Sequence, residues 1–254
     1  MMRWALGVEY DGTHFCGWQQ QPGLKTVQGE LQLALSNVAD ASVEVVCGGR
    51  TDAGVHAAGQ VVHFDTTIRR SARAWALGAN AHLSRQLSVA WAVPVPDFFH
   101  ARFSAQRRHY RYTFFNRATR SALHAATSTW VAMPLDVVAM QTGALHLIGE
   151  HDFSAFRAAE CQSRSPIRRV DSLTVQREGP LVHIDIAANA FLHHMVRNIA
   201  GLLMSVGRGE RRADEVAVLL ASRDRRLNAP TAPAEGLCLR RIEYPAAFAL
   251  PDPV

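Results

Sequence analysis

Lysine is nearly missing from this chain of 254 residues, where Lys25 stands alone and every other basic residue is arginine. Long apolar runs are missing too, so no segment is expected to span a membrane. The four cysteines, Cys16, Cys47, Cys161 and Cys238, are scattered without C-x-x-C spacing. That excludes the usual structural zinc patterns and a disulfide framework, and sets the expectation of a reduced, cytoplasmic setting. The opening MMRWALGVEYDG reads as a strand and a turn with an acid at Glu9, not as a charged region followed by an apolar leader. A phosphate-binding loop is excluded as well. Gly49 and Gly54 have the right gap, but Val55 occupies the place of the lysine and no Ser or Thr follows it. A paired-aspartate protease loop needs a second carboxylate copy, and the Asp-Ala-Gly at Asp52 has none.

With 48% hydrophobic and 19% charged residues, the chain can bury a substantial core as one large domain or two smaller ones. Net charge is +5. Residues 1–104 hold eight basic and eight acidic side chains, so the whole excess lies beyond residue 104. Arginine forks phosphate and stacks on bases better than lysine does, which favours an anionic partner, nucleic acid first. A compositional bias toward arginine and alanine explains the same numbers equally well.

The stretch Val43 to Phe64, VEVVCGGRTDAGVHAAGQVVHF, reads as strand, glycine-rich loop, strand. Within the loop, glycines bracket Asp52, and Arg50 precedes it by two residues. An Asp in a glycine turn commonly caps local backbone and nothing more. Here the loop is longer than a tight hairpin needs, carries Arg50 and His56 besides, and is hung between two strands apolar enough to hold it rigid. Asp52 is therefore the first candidate for chemistry.

Periodicity orders the rest. Arg3 to Tyr10 alternates as a strand, and Thr26 caps a helix whose face is Val27, Leu31, Leu35 and Val38. A helix over 71–82 and a strand over 87–95 follow. After a proline- and arginine-broken stretch, the order resembles itself, with a strand at 109–115, a helix at 137–148, a strand pair at 172–191, helices at 192–206 and 213–221, and a last strand at 237–244. The pattern predicts an α+β fold of two similar domains, each a mixed or antiparallel sheet with helices on one face, divided as 1–104 and 105–254, with sheets that join side by side.

Three further groupings could carry chemistry. In HARFSAQRRHYRY, 100–112, arginines alternate with aromatics, as a surface for nucleic acid would. A period of two sends Tyr110 and Tyr112 to one face and His109 and Arg111 to the other, so the tyrosines read as core before they read as ligands. On the helix after Phe191, Arg197 lies beside an apolar stripe and needs a carboxylate, with Asp52 and Asp185 among the candidates. His193 and His194 lack further ligands at metal spacing, which favours a structural role. Arg164, Arg168 and Arg169 lie in a proline-containing loop and serve either as a solvated surface or as phosphate contacts. The segment 226–239 is an extended approach that could close a pocket wall.

Taken together, EYDGTHFCGWQ, CGGRTDAGVHAAGQVVHF, HARFSAQRRHYRY, ANAFLHHMVRNIAG and TAPAEGLCLRRIEY resemble, in order and over nearly the whole length, the signature segments of the bacterial tRNA pseudouridine synthase A family. The departures, Cys238 where an aromatic residue is common and His109 before the tyrosine, are minor. The resemblance implies a pseudouridine synthase fold around an RNA-binding cleft. It implies isomerisation of uridine to pseudouridine at positions 38, 39 and 40 in the anticodon stem-loop of tRNA, by a homodimer without cofactor or metal. It also implies roles: Asp52 as nucleophile, Tyr110 stacked on the target uracil, Arg197 paired with Asp52, Arg50 assisting extrusion of the nucleotide, and Leu237 as an apolar wall. The competing expectation is a tRNA-binding folding chaperone on the same scaffold without catalysis.

Overall fold

A computed structural model describes residues 1–252. In chain order its regular elements are β1 (Met2–Tyr10), α1 (Val27–Ala39), β2 (Val46–Cys47), β3 (His56–Thr66), α2 (Ala72–His82), β4 (Leu87–Val95), β5 (Arg107–Asn116), β6 (Thr129–Val131), α3 (Val137–Leu145), β7 (Gly149–Asp152), β8 (Ile167–Glu178), β9 (Leu181–Ala188), α4 (Met195–Gly207), α5 (Glu215–Ser222) and β10 (Leu237–Glu243). Two compact units result, an α+β fold in each. The first joins Met1–Arg108 to the chain from Cys238 onward, and the second is His109–Leu237. The sequence places a single boundary near residue 104; the chain instead leaves the first unit after Arg108 and re-enters it at Cys238.

In the first unit the strand order is β4-β1-β3-β10, with β2 added to β3. β1 runs antiparallel to β3 and β4, while β10 pairs parallel to β3 through Cys238 opposite His56 and Leu239 opposite Ala57. Alternation decides the packing. Trp4 and Phe64 project toward α2, where Trp75 meets them at ring-centroid distances of 6.3 and 5.0 Å. Full burial of a side chain such as Phe64 contributes about 1.5–3 kcal/mol, so this small aromatic cluster stabilises the helix layer appreciably. The opposite face, Ala5 and Val61, is covered by Phe99 and Ala101, with Trp91, Tyr244 and Phe248 packed around them. α1 starts as expected, with the Thr26 hydroxyl accepting the backbone N–H of Gly29, and α2 is capped in the same way by Ser71, whose hydroxyl accepts from Ala74 N–H.

One local expectation is corrected. The run from Val43 joins the sheet only at Val46 and Cys47. Val43 and Val45 are buried, but their N–H groups donate to Ser36 Oγ and Gln32 Oε1 of α1. Helix side chains satisfy the donors a ladder would have taken.

The second unit has the order β5-β9-β8-β7, with β6 parallel to β5. β8 and β9 form an antiparallel hairpin that turns at Gly179. Val182, Ile184 and Ile186 are buried while His183 and Asp185 lie partly open. Tyr110, Tyr112 and Phe114 fall on the buried side of β5, as a period of two requires. α4 is buried over most of its circumference and packs against α3. The short β6 and β7 carry no pattern long enough to read from sequence.

Candidate active site

The loop between β2 and β3 is pinned residue by residue. Gly48 N–H donates to Val61 O at 2.8 Å. Gln60, fully buried on β3, grips Gly49 from both sides: Gly49 N–H donates to Oε1 at 3.2 Å, and Nε2 donates to Gly49 O at 2.5 Å. The Tyr10 hydroxyl shares a buried 2.7 Å hydrogen bond with Thr51 Oγ1. Thr51 O accepts from Trp18 N–H at 3.0 Å, and Asp52 O from Val55 N–H at 3.1 Å. The segment around Gly17 lies against this loop so closely that an added Cβ would stand 3.0 Å from Thr51 O and 3.1 Å from Ala53 N; Gly17 also has φ +83°. Only glycine suits both demands. Between the two fixed residues Arg50 is exposed, and Asp52 next to them is half-buried. A carboxylate is thus held on a backbone with little freedom, the condition for presenting it in one orientation.

The start of the loop has a second anchor. Arg108 donates to Gly48 O from Nε at 3.3 Å and from Nη2 at 3.0 Å, and Nη2 also donates to Arg102 O at 2.8 Å. Cys47, just upstream, is not a rival nucleophile, because burial pushes its thiol up to about 12 despite the nearby Arg50 cation.

In the second unit, Tyr110 is buried on β5 with Phe191 set edge-on to its ring at 5.1 Å. Arg197 on α4 is partly buried and donates from Nε to Ala232 O at 2.8 Å, while Ala232 N–H donates to Arg197 O at 3.1 Å. The extended segment that makes this possible passes over Gly201, where an added Cβ would lie 2.1 Å from Pro230 O. Asn198, fully buried, ties the same segment down: its Oδ1 accepts from Thr231 Oγ1 at 2.7 Å and from Arg225 Nη2 at 3.0 Å, and its Nδ2 donates to Phe156 O at 2.7 Å. Asp185, one of the carboxylates considered for Arg197, is taken by Arg111 in a two-pronged pair at 2.7 and 2.9 Å. Leu237 is buried at the end of the approach.

The three arginines around the 161–170 loop differ in what they can do. Arg164 is exposed. Arg168 spends donors on its own loop, at Ser165 O, Ile167 O and Ser163 Oγ, and burial lowers its pKa. Arg169 pairs with Asp171 at 2.9 Å. Asp52 and Arg50 share one loop; Tyr110, Arg197, Leu237 and this arginine loop belong to the second unit.

Sequence reading missed Tyr10, Gln60 and Asn198. For Gln60 there was a signal: an amide within GQVVHF, amid apolar neighbours, must be buried, and a buried amide demands partners.

Comparison with known proteins defines the class. The profile of the family described as tRNA pseudouridine synthase matches residues 7–104 and 144–245, and the chain belongs to that family. Relatives named tRNA pseudouridine synthase A include the one from Methylococcus capsulatus, 57% identical over 249 residues, covering 98% of this chain and 92% of that protein. The protein of that name from Vibrio cholerae (O395) is 55% identical over 251 residues, covering 99% of this chain and 95% of the relative. The one from Xanthomonas euvesicatoria is 54% identical over 255 residues, covering 100% and 99%. The matched ranges include the Asp52 loop, Tyr10, Gln60, Arg197 and Gly201, and omit residues 105–143, where Tyr110 lies.

Proposed function

We propose that this chain is the enzyme that isomerises uridine to pseudouridine at positions 38, 39 and 40 in the anticodon stem-loop of tRNA, working as a homodimer. The observation that carries the catalytic reading is the buried grip of Tyr10 and Gln60 on Thr51 and Gly49, which immobilises the backbone on which Asp52 stands. A loop that merely turned the chain would not need two buried polar side chains spent on it.

The reaction breaks the C1′–N1 bond, turns the uracil and joins C1′ to C5, with loss of the C5 proton. One ionised carboxylate meets that demand, by attack at C1′ or C6. Asp52 takes this role, with Arg197 as its paired cation. The base must leave its stack, at a cost of a few kcal/mol, and Tyr110 receives it. Arg50 assists extrusion, Leu237 forms an apolar wall, and Arg164, Arg168 and Arg169 contact phosphate, with Arg164 and Arg169 the exposed members of the three. No step calls for a redox group.

Tritium release from C5-labelled uridine in tRNA tests this directly. The wild type is expected to release tritium and Asp52→Asn to release none while still binding tRNA. Equal turnover by Asp52→Asn removes the nucleophile assignment. Binding without release by the wild type favours the chaperone reading, and stem-loop RNAs with one uridine each at the three positions test the site specificity.

A further inference from the structure

We propose that His100, Arg102 and Phe103 form a preformed stacking platform for an unpaired base of the substrate RNA, beside the Asp52 loop; this rests on the tRNA reading above. The observation is a large aromatic ring held in the open. Phe103 is 75% exposed. Its ring lies 4.3 Å from that of His100 at an angle of 31°, and His100 in turn lies 4.7 Å from the buried His63. The Arg102 guanidinium sits over the Phe103 ring at 5.5 Å and makes no ion pair among the described residues. A ladder of rings that begins in the core thus ends in a ring mostly open to solvent, with a cation beside it.

The backbone beneath is fixed at each step. His100 Nδ1 accepts from the N–H groups of Arg102 and Phe103, both at 3.2 Å. Ala101 N–H donates to His63 Nδ1 at 3.2 Å, and Ala101 O accepts from the Tyr244 hydroxyl at 2.6 Å. An exposed phenylalanine on so constrained a turn loses little freedom on contact, which favours binding. Position favours RNA as the occupant. One nitrogen of Arg108, Nη2, bonds Arg102 O and Gly48 O, so the turn adjoins the start of the Asp52 loop. Stacking on Phe103 with a phosphate at Arg102 is the contact that single-stranded nucleic acid makes with aromatic and basic pairs.

The test compares tRNA affinity and single-turnover rate for the wild type, Phe103→Ala, Phe103→Trp and Arg102→Gln, with thermal melts as a folding control. Phe103→Ala is expected to raise Kd at least about fivefold at an unchanged melting temperature, from the usual worth of one base stack. Phe103→Trp restores affinity, and Arg102→Gln lowers the slope of log K against log salt by about 0.7. A wild-type Kd for Phe103→Ala overturns the platform, and a changed sedimentation coefficient in that variant would assign the ring to contact with a second copy instead. A wild type that modifies no tRNA sinks the functional reading itself, an outcome separate from either.

Discussion

Gln60 and Gly49 are joined by a reciprocal pair of hydrogen bonds, amide to peptide on both sides, with the Gln60 side chain fully buried and the glycine partly so. They stand eleven positions apart in the chain, so the bond fixes the strand and the loop as one object. Gln60→Leu would leave a peptide N–H and C=O without partners, each worth about 1–3 kcal/mol of destabilisation. The expected outcome is a protein that still melts cooperatively, with a lower midpoint and a turnover reduced about tenfold or more. Single-turnover assays that found a wild-type rate would show that the grip does not govern Asp52.

Tyr10→Phe removes the hydroxyl shared with Thr51 while keeping the ring in the core beside Trp18. A loss of about 1 kcal/mol in urea-denaturation stability is expected, with the rate of chemistry falling more than tRNA affinity. A change in affinity alone would argue against a positioning role.

Gly201→Ala tests the second unit. The added methyl would stand 2.1 Å from the carbonyl oxygen of Pro230, a backbone atom that cannot rotate away. The segment must lift from α4, and with it the bond from Arg197 Nε to Ala232 O is lost. Overpacking of this kind costs about 1–3 kcal/mol, and turnover is expected to drop with it. Arg197→Met leaves the helix packing intact and is expected to fold normally with severely reduced turnover; normal turnover would exclude Arg197 from the chemistry.

Acid should loosen the turn beneath Phe103. His63 is buried, and burial, with the cations of Arg3 and His100 close by, depresses its pKa to about 4 against the partial opposition of Asp65. Its Nδ1 accepts the Ala101 N–H only while unprotonated. Because the unfolded chain takes up this proton near pH 6.5, stability is full above that pH and declines as the solution is acidified toward pH 4. The loss attributable to this group is on the order of 2 kcal/mol. Urea titrations of wild type and His63→Gln at pH 7, 5.5 and 4.5 should show a flatter pH dependence in the variant. Parallel curves would remove His63 from the effect.

Much of this was legible in the letters, for reasons that are local. The cap at Thr26, the alternation that buries Tyr110 and Tyr112, and the glycine bracket around Asp52 all depend on residues a few positions apart. What escaped depends on distance. Tyr10 reads as a core residue of its strand, and only the fold brings its hydroxyl to Thr51, forty-one positions on. Val43 and Val45 look like strand, yet α1 supplies their partners from Gln32 and Ser36. The return of β10 to β3 is a parallel pairing, which no turn signal announces.

That return has a consequence for biosynthesis. The strand beside β3, and the Tyr244 and Phe248 rings that shield Phe99 and Val61, follow the whole second unit in the chain. In synthesis from the N-terminus, residues 1–108 therefore emerge with an apolar sheet face and a bare strand edge, and keep both until the second unit has been made. The first unit begins ahead of the second and is completed after it.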